Sequence, residues 1–344
     1  MSDLMKMVDV PNCPVCGGRG DLAHSACTDQ YMGITGAWTY LSCLQCQSLW
    51  MSPRPEESEI AKLYGNYYTH SMPKSLLEVP KNLMFGMPRL FANLISLRRC
   101  WGYKNDITHN NNFIVVWIGR LLSRVPGSRM RSGAIVRYVQ NYPAGDFLDV
   151  GCGNGGFLLT MRDLGWNVEG LEPDLVAVQQ ARSLGLEVTH GSASKSELPS
   201  KTWDAITMNH VVEHLVNPLL AIQLLAIKLN EGGVLSIISP NPVGSLARLF
   251  GKNWFSMDPP RHLVLPSPKG YELMTRKLGL KADIFTGNSQ AAGMLGYSLD
   301  YLRYGKVMGS SYCGLTKLYG YFLAPIAKLF CSKSGEDVVC VIRK

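Results

Sequence analysis

A run of glycines after an acidic residue, in the middle of the chain, has the clearest chemical meaning. In the segment Asp149–Gly156, glycines occupy positions 151, 153, 155 and 156, directly after the short apolar run Phe147–Leu148. Glycine lets the backbone turn sharply and approach a ligand closely. A strand, glycine loop and helix in this order hold nucleotide-like cofactors at the helix N-terminus. Because positions 151, 153 and 156 also satisfy the dinucleotide pattern, the glycines alone fit both NAD and S-adenosylmethionine (SAM).

Two acidic residues bear on the choice of cofactor. Asp149 lies at the mouth of the predicted strand, where it would repel a pyrophosphate but favour the sulfonium and ammonium groups of SAM. Glu172 lies 21 residues after Gly151, at the end of the next predicted strand, where a carboxylate can accept the ribose hydroxyls of either cofactor. The sequence therefore predicts SAM, with an NAD-linked oxidoreductase as the alternative. In the same loop Cys152 is interpreted as a small filler.

Cysteines near the N-terminus form two Cys-x-x-Cys pairs. Cys13 and Cys16 precede Cys43 and Cys46 by 26 intervening residues. Two such pairs bring four thiolates to one tetrahedral centre, which suits a structural zinc ion without an open coordination position. The sequence predicts a zinc ribbon with no catalytic role. Some ribbons of this kind bind nucleic acid, which keeps an RNA substrate open.

The rest of the chain predicts an α/β protein. Beyond residue 146, short apolar strands alternate with helices, as in a doubly wound, mostly parallel sheet of Rossmann-like type. Asn217-Pro218 is expected to begin one helix and Gly232-Gly233 to end it. The predicted domains are a zinc ribbon over 1–55, a basic helical linker or cap over 56–140, a cofactor-binding core over 141–290, and a helical segment with the last strand over 291–344.

The segment from residue 74 to 139 is strongly basic. It contains eleven Lys or Arg and only Glu78 and Asp106 as acids, a net charge of +9 against +8 for the whole chain. Its apolar residues recur at helical intervals, so two or three helices are expected. Their basic surface is either a solvated cap or a surface for an anionic partner such as membrane lipid, a sugar nucleotide or RNA. Without a secretory signal or a spanning segment, a cytoplasmic location is expected, and the basic insert is the candidate for peripheral contact with the inner face of the membrane.

A series of motifs resembles the class I SAM-dependent methyltransferases, in particular a bacterial branch associated with polysaccharide and cell-envelope biosynthesis. The match extends over residues 146 to about 285. The ribbon also resembles the N-terminal zinc motif of the deoxysugar C-methyltransferases, although the basic insert is longer than in that family. The motifs that carry the resemblance are Asp149-x-Gly151-x-Gly153-x-Gly155, Glu172-Pro173-Asp174, Trp203-Asp204-Ala205-Ile206, His210-Val211-Val212-Glu213-His214-Leu215, Pro240-Asn241 and Pro259-Pro260-Arg261-His262-Leu263.

The resemblance implies a set of cofactor contacts. The glycine loop and its acid would lie along the methionine part of SAM, Glu172 would hold the ribose, and a loop after the third strand would approach the adenine. The implied cofactor residues are Asp149, Gly151, Gly153, Gly155, Glu172, Ser192, Ala193, Asn209 and His210.

The resemblance also implies catalytic residues. His214 and His262 correspond to catalytic histidines of the sugar C-methyltransferases, with Glu213 beside them and an early tyrosine assisting, for which Tyr68 is the candidate and Tyr64 and Tyr67 are alternatives. Glu213-His214 is also found as a packing element in other methyltransferases. Arg261 is expected either to pair with an acceptor phosphate or to form a surface salt bridge.

Methyl transfer from a sulfonium needs alignment above all, and a base only if the acceptor must lose a proton. The expected acceptor is a sugar nucleotide or a lipid-linked glycan intermediate. RNA methylation is the weaker alternative, because no Asn-Pro-Pro-aromatic motif is present and Asn209-His210-Val211-Val212 stands in its place. A non-catalytic scaffold with this fold is the alternative from another class.

Overall fold

The computed structural model describes the chain over residues 5–64, 83–103, 113–124, 128–140, 145–193, 198–288, 290–309, 314–320, 324 and 334–344. It divides into two compact units. One unit comprises Met1–Tyr67, Met208–Ile227 and Ile237–Arg343, and the other comprises Tyr68–Thr207, Lys228–Ser236 and Lys344.

The N-terminal region consists of short strands. They are β1 (Met7–Val8), β2 (Gly20–Cys27), β3 (Trp38–Cys43), β4 (Leu49–Met51) and β5 (Arg54–Pro55), followed by helix α1 (Glu57–Ile60) and a 3-10 helix at Ala61–Tyr64. Strand β1 pairs with β5, while β2, β3 and β4 form one antiparallel sheet. Burial alternates along the start of β3, where Trp38 and Tyr40 face a core with Trp254 and Met257.

The basic segment forms three helices in its described part, within the range that was predicted. They are α2 (Leu83–Trp101), α3 (Phe113–Leu122) and α4 (Ser128–Ile135). The Arg99 guanidinium donates to the Ser123 carbonyl at 2.9 Å, and the Trp101 indole donates to the Ser132 hydroxyl at 3.2 Å. Over the described residues, none of the helices combines the length and apolar character that a membrane span requires.

The second half of the chain alternates strands with helices, as predicted. Its first elements are β6 (Asp146–Val150), α5 (Gly156–Asp163), β7 (Asn167–Glu172), α6 (Leu175–Ser183), β8 (Glu187–His190), β9 (Trp203–Asn209), a 3-10 helix at Val212–His214, α7 (Pro218–Ile227) and β10 (Leu229–Pro240). Strands β6, β7 and β8 pair in parallel. Strand β6 is buried from Phe147 to Val150, as expected where helices cover both faces of a parallel sheet, whereas β8 at the edge of the sheet buries Val188 and exposes its other residues.

The C-terminal elements add strands to the antiparallel N-terminal sheet and to the seven-stranded central sheet. They are α8 (Ser245–Phe250), β11 (Val264–Leu265), α9 (Pro268–Lys277), β12 (Lys281–Gly287), α10 (Ala291–Tyr304), α11 (Gly314–Leu318) and β13 (Asp337–Arg343). Strand β11 adds to the N-terminal sheet beside β4. The central sheet has the order β12-β13-β10-β9-β6-β7-β8, with β12 and β13 antiparallel. This is the Rossmann-like fold of the class I methyltransferases that the sequence predicted.

One predicted helix boundary is wrong. Helix α7 begins at Pro218 as expected, with the Asn217 side chain accepting from the Leu220 amide at 3.0 Å. It ends at Ile227, however, and Gly232-Gly233 lies inside β10. A β-carbon at Gly233 would lie 2.8 Å from the Asn230 carbonyl oxygen and 3.2 Å from that of Asp204. The glycine is therefore needed for close backbone approach within the strand and does not end the helix.

Candidate active site

The glycine loop joins β6 to α5 in a backbone conformation that favours glycine. Gly151, Gly153 and Gly155 have φ values of 71°, 54° and 86°, in the left-handed region. A β-carbon at Gly155 would also lie 2.4 Å from the Leu186 side chain. The loop thus presents its backbone closely to whatever occupies the end of β6, as the motif predicted. Cys152 is buried, and its sulfur would lie 2.5 Å from a β-carbon at Gly170.

Glu172 connects this loop to the end of β7. Its two carboxylate oxygens accept from the amides of Gly153 at 2.8 Å and Asp174 at 3.0 Å. Burial raises the pKa of this carboxyl, although both amides act in the opposite direction. A carboxylate has about four acceptor sites. Glu172 can therefore hold the loop and still accept ribose hydroxyls.

The surroundings of Asp149 correct one argument made from the sequence. Its side chain is fully buried and pairs with the Arg137 guanidinium, and it accepts from the Thr207 hydroxyl at 2.7 Å. Burial raises the pKa of Asp149, and the charge of Arg137 opposes that shift. Arg137 therefore offsets the negative charge of Asp149 inside the protein, and both contacts are made by Asp149 Oδ1 while Oδ2 has no hydrogen-bond partner among the described residues.

Arg137 is the main residue that sequence reasoning missed on this side. Its φ is 48°, its guanidinium carbon lies 3.6 Å from the centre of the Phe157 ring, and its carbonyl accepts from the Ser236 hydroxyl at 2.5 Å. The sequence did indicate such a residue, because an acid inside an apolar strand, as Asp149 is, needs a buried cation nearby. Choosing Arg137 among eleven basic residues needed the structure.

The remaining predicted cofactor residues lie after strands β8 and β9. Ser192 and Ala193 follow Gly191, whose amide donates to the Glu172 carbonyl at 3.0 Å. Asn209 is the last residue of β9. His210 follows it with a φ of 54°, a conformation that few non-glycine residues adopt and that is enriched at functional sites.

The imidazole of His210 contacts an acid, although the resemblance placed His210 in the cofactor pocket. Its Nδ1 lies 3.2 Å from Glu213 Oε1, and its Nε2 lies 3.1 Å from the Gln290 side-chain nitrogen.

Three of the predicted catalytic residues lie together. One ligand-capable atom from each of Glu213, His214 and His262 lies within 4.8 Å of the others. The His262 Nε2 to Glu213 Oε1 distance is 4.0 Å, and the two imidazole ring centres are 4.7 Å apart at 67°. The sequence separates Glu213 from His262 by 49 positions, so the fold is what assembles this cluster. We call these three residues the Glu-His cluster.

Backbone carbonyl groups fix both histidine rings. His214 Nδ1 lies 3.1 Å from the Arg261 carbonyl oxygen, and His262 Nδ1 lies 2.8 Å from that of Ser256. Because a carbonyl oxygen only accepts, the Nδ1 atom of each ring carries a proton and donates this hydrogen bond. The Tyr40 hydroxyl also donates to the His262 carbonyl at 2.7 Å.

Burial sets the charges within the Glu-His cluster. Burial acts to raise the pKa of Glu213, but the hydrogen bond and charge of His210 and the charges of His262 and His214 outweigh it and lower that pKa to about 2. Burial lowers the pKa of His214 to about 4, and the charge of His262 acts in the same direction. At neutral pH Glu213 is therefore ionised and His214 is neutral.

Both expectations for Arg261 are wrong. Its side chain is fully buried and forms a two-pronged pair with Asp29, with nitrogen to oxygen distances of 2.8 and 2.9 Å, and its Nε donates to Asp258 at 3.0 Å. An arginine enclosed by two acids is neither a surface salt bridge nor a binder of acceptor phosphate. It instead holds the backbone on which His262 lies. Sequence reasoning missed Asp29, which is 232 positions away.

Tyr67 and Tyr68 lie outside the described residues, and Tyr64 is the last residue of the 3-10 helix after α1.

The four ribbon cysteines converge on one point. Their sulfur atoms all lie within 4.8 Å of one another, with Cys13 to Cys46 at 3.7 Å and Cys16 to Cys43 at 3.4 Å. The two turns that carry them are alike: Gly17 and Gln47, with φ values of 78° and 64°, donate to the carbonyls of Cys13 and Cys43 at 2.8 and 2.9 Å. Four thiols at these separations fit a tetrahedral zinc ion, whose thiolate ligands lie about 3.8 Å apart.

Comparison with known proteins identifies the region around the glycine loop. Residues 120–283 match the family model described as a methyltransferase domain. The match and the strand order together give this part of the chain the Rossmann-like fold of the class I methyltransferases. The family and its fold support SAM as the cofactor.

Curated relatives match part of the chain. The mitochondrial ubiquinone biosynthesis O-methyltransferase of Schizosaccharomyces pombe is 30% identical over 129 residues, covering 33% of this chain and 47% of that protein. The ubiquinone biosynthesis O-methyltransferase of Xanthomonas campestris pv. campestris is 33% identical over 106 residues, covering 29% of this chain and 44% of that protein. The chain spans about half the length of these relatives. A solved SAM-dependent methyltransferase from Archaeoglobus fulgidus is 20% identical with a TM-score of 0.41, covering 58% of this chain and 86% of its own.

Proposed function

We propose that this protein transfers the methyl group of SAM to a small or lipid-linked acceptor. The observation that carries the proposal is the glycine loop held by Glu172, within a methyltransferase domain. SAM would lie along this loop with its ribose on Glu172. Strand β9 supports the assignment, because its Thr207 hydrogen-bonds Asp149 at the start of the loop.

The Glu-His cluster is the proposed acceptor side. The sulfonium is already an activated leaving group, so the protein must align the acceptor and, where the acceptor is a hydroxyl, stabilise its loss of a proton. Rings fixed by backbone carbonyls can do so without reorganising. Tyr68 stays a prediction for the same step.

For the acceptor we propose a sugar nucleotide or a lipid-linked glycan intermediate, as the motif resemblance implies. A second candidate is a phenolic lipid, which is favoured by the identity of 30–33% to proteins named as O-methyltransferases of ubiquinone biosynthesis. Both candidates can present a hydroxyl group to the Glu-His cluster.

Titration calorimetry tests the cofactor. Wild-type protein should bind SAM, and Glu172→Gln should bind it at least tenfold more weakly, because a hydrogen bond to a charged group contributes about 1.5–3 kcal/mol. Glu169→Gln on the same strand is the matched control, since Glu169 pairs with Lys201 and not with the loop. Binding of NAD without SAM would overturn the proposal, and binding of neither would favour a scaffold.

Labelling tests the acceptor. Protein and methyl-labelled SAM are incubated with cell extract that is then separated into nucleotide-sugar, lipid and RNA fractions. We expect label in the nucleotide-sugar fraction or in the glycan part of the lipid fraction, and none with His262→Gln. Label in phenolic lipid would select the second candidate, whereas label only in RNA would refute both.

We also propose that the four ribbon cysteines bind a structural zinc ion. Metal bound by thiolates commonly supplies the stability that a short segment lacks. Cys46→Ser should lose one zinc per chain by mass spectrometry and expose β2–β4 to protease. Cys100→Ser, outside the cluster, should keep it. An equal zinc content in both variants would rule out this site.

Finally, we propose that α3 contacts anionic lipid. Trp117 and Leu121 lie one turn apart and are 52% and 48% exposed, with exposed Arg120 and Arg124 beside them. Apolar side chains flanked by arginines are typical of helices that bind membrane surfaces. Trp117→Ala with Leu121→Ala should weaken binding to phosphatidylglycerol vesicles about tenfold, while Leu249→Ala, at another exposed leucine, should not. Equal binding of all three proteins would refute this surface.

A further inference from the structure

The Glu-His cluster has the donor atoms and spacing of a metal site. Two imidazoles and one carboxylate each offer an atom within 4.8 Å of the others. Zinc ligands lie about 2.0–2.2 Å from the ion, so their mutual separation in a tetrahedral site is about 3.4 Å. The observed 4.0 Å from His262 Nε2 to Glu213 Oε1 reaches that value with side-chain shifts below about 1 Å.

The hydrogen bonds around the Glu-His cluster have the pattern found around metal ligands. In a histidine that binds a metal through one ring nitrogen, the N–H group of the other ring nitrogen almost always donates a hydrogen bond to a carbonyl or carboxylate. His214 and His262 both do so, to the carbonyls of Arg261 and Ser256. His210 holds Glu213 Oε1 in the same way from the side. Each of the three residues is thus oriented by a group that is not itself a member of the cluster.

One carboxylate oxygen of Glu213 stands apart from these contacts. Its Oε2 atom is buried and has no hydrogen-bond partner among the described residues, and the side chain is fully buried. A buried carboxylate oxygen without a hydrogen bond destabilises the folded protein unless a cation compensates its charge.

We propose that Glu213, His214 and His262 bind one divalent transition-metal ion, separate from the ion at the four ribbon cysteines. Two nitrogen donors and one oxygen donor favour Zn²⁺, Fe²⁺, Co²⁺ or Mn²⁺ over Mg²⁺ and Ca²⁺. Three protein ligands leave a coordination position for water or an acceptor hydroxyl, as catalytic sites do. A cation there lowers the pKa of a bound hydroxyl, but its binding does not depend on the proposed methyl transfer.

Cobalt substitution tests this site in the full chain. The protein is produced in cobalt-supplemented medium, so that it folds with the ion present, and cobalt is counted by mass spectrometry. We expect two Co²⁺ per chain. Only the ribbon site can give a thiolate-to-cobalt charge-transfer band. Glu213→Gln and His262→Gln should each retain that band but hold one Co²⁺, whereas the control His24→Gln should keep two.

The outcomes separate the proposal from misfolding and from a failed methyltransferase assignment. A variant that does not fold loses the charge-transfer band, and wild-type protein then decides by its cobalt count alone. One Co²⁺ per wild-type chain, all bound by thiolate, would overturn the proposal. So would two Co²⁺ in both folded cluster variants. Since the readout is metal content, loss of SAM binding in the calorimetric experiment would leave this result unaffected.

Discussion

Asp149 and Glu213 are both fully buried carboxylates, but the protein compensates their charges in different ways. Asp149 faces an arginine and a threonine hydroxyl. Glu213 faces histidines, with His210 Nδ1 at 3.2 Å and His262 Nε2 at 4.0 Å. Arginine is always charged in proteins, whereas histidine changes its charge near neutral pH.

The partners of the two carboxylates therefore differ in whether their charge can change. Asp149 has a permanent support in Arg137, whereas Glu213 lies in an adjustable site formed with histidines. Arg137 keeps its charge at every physiological pH and pairs with Asp149 in the strand before the glycine loop. The Glu-His cluster can gain or lose positive charge through protons or a metal ion. Chemistry on an acceptor is expected at the second type of site, because only there can the charge change during a reaction.

Removing the permanent cation should have the largest effect. Arg137→Met leaves Asp149 buried without its partner, which we expect to cost about 3–5 kcal/mol of unfolding free energy. Urea denaturation measures this loss. Lys201→Met is the control, because Lys201 pairs with Glu169 while 36% exposed and should cost less than about 1 kcal/mol. Equal losses would mean that Asp149 does not depend on Arg137.

The adjustable site should make stability depend on pH. His214 has its folded pKa lowered to about 4 against an ordinary 6.5, so the unfolded chain binds its proton more readily. Stability must therefore fall as the pH falls from about 6.5 to about 4, by at most about 3 kcal/mol from this residue. Denaturation of metal-free protein across this range should show the fall, and His214→Asn should reduce it. The exposed His190→Asn serves as control, and identical curves for both variants would contradict the assignment.

The hydroxyl that supports Asp149 should contribute least. Thr207→Val keeps the shape of the side chain but removes the 2.7 Å hydrogen bond, at a cost of about 2 kcal/mol. Because neither Arg137 nor Thr207 titrates near neutrality, the loss should be the same at pH 6 and pH 8 by urea denaturation. A cost that varied with pH would show that the pair is not a permanent support.

Local patterns in the sequence predicted much of the fold and part of the site. The alternation of strands and helices, the left-handed glycines at 151, 153 and 155, and the cysteine turns all depend on residues close together in the chain. Gly232-Gly233 was misread because its role is close approach between strands, which leaves no local signal. Arg137, Thr207 and Asp29 were missed for the same reason, since only the fold brings them to Asp149 and Arg261.

The pair of Arg261 and Asp29 limits how this chain can be divided. A fragment limited to the matched stretch, residues 120–283, contains the glycine loop, Glu172 and the Glu-His cluster, and so contains the main residues of the candidate site. It lacks Asp29, and it lacks Tyr40, whose hydroxyl holds the His262 carbonyl. The four ribbon cysteines thus share a segment with the residues that brace the Glu-His cluster. Transplanting the catalytic domain into another protein, or exchanging its N-terminal region for that of a relative, would require carrying residues 29–40 along.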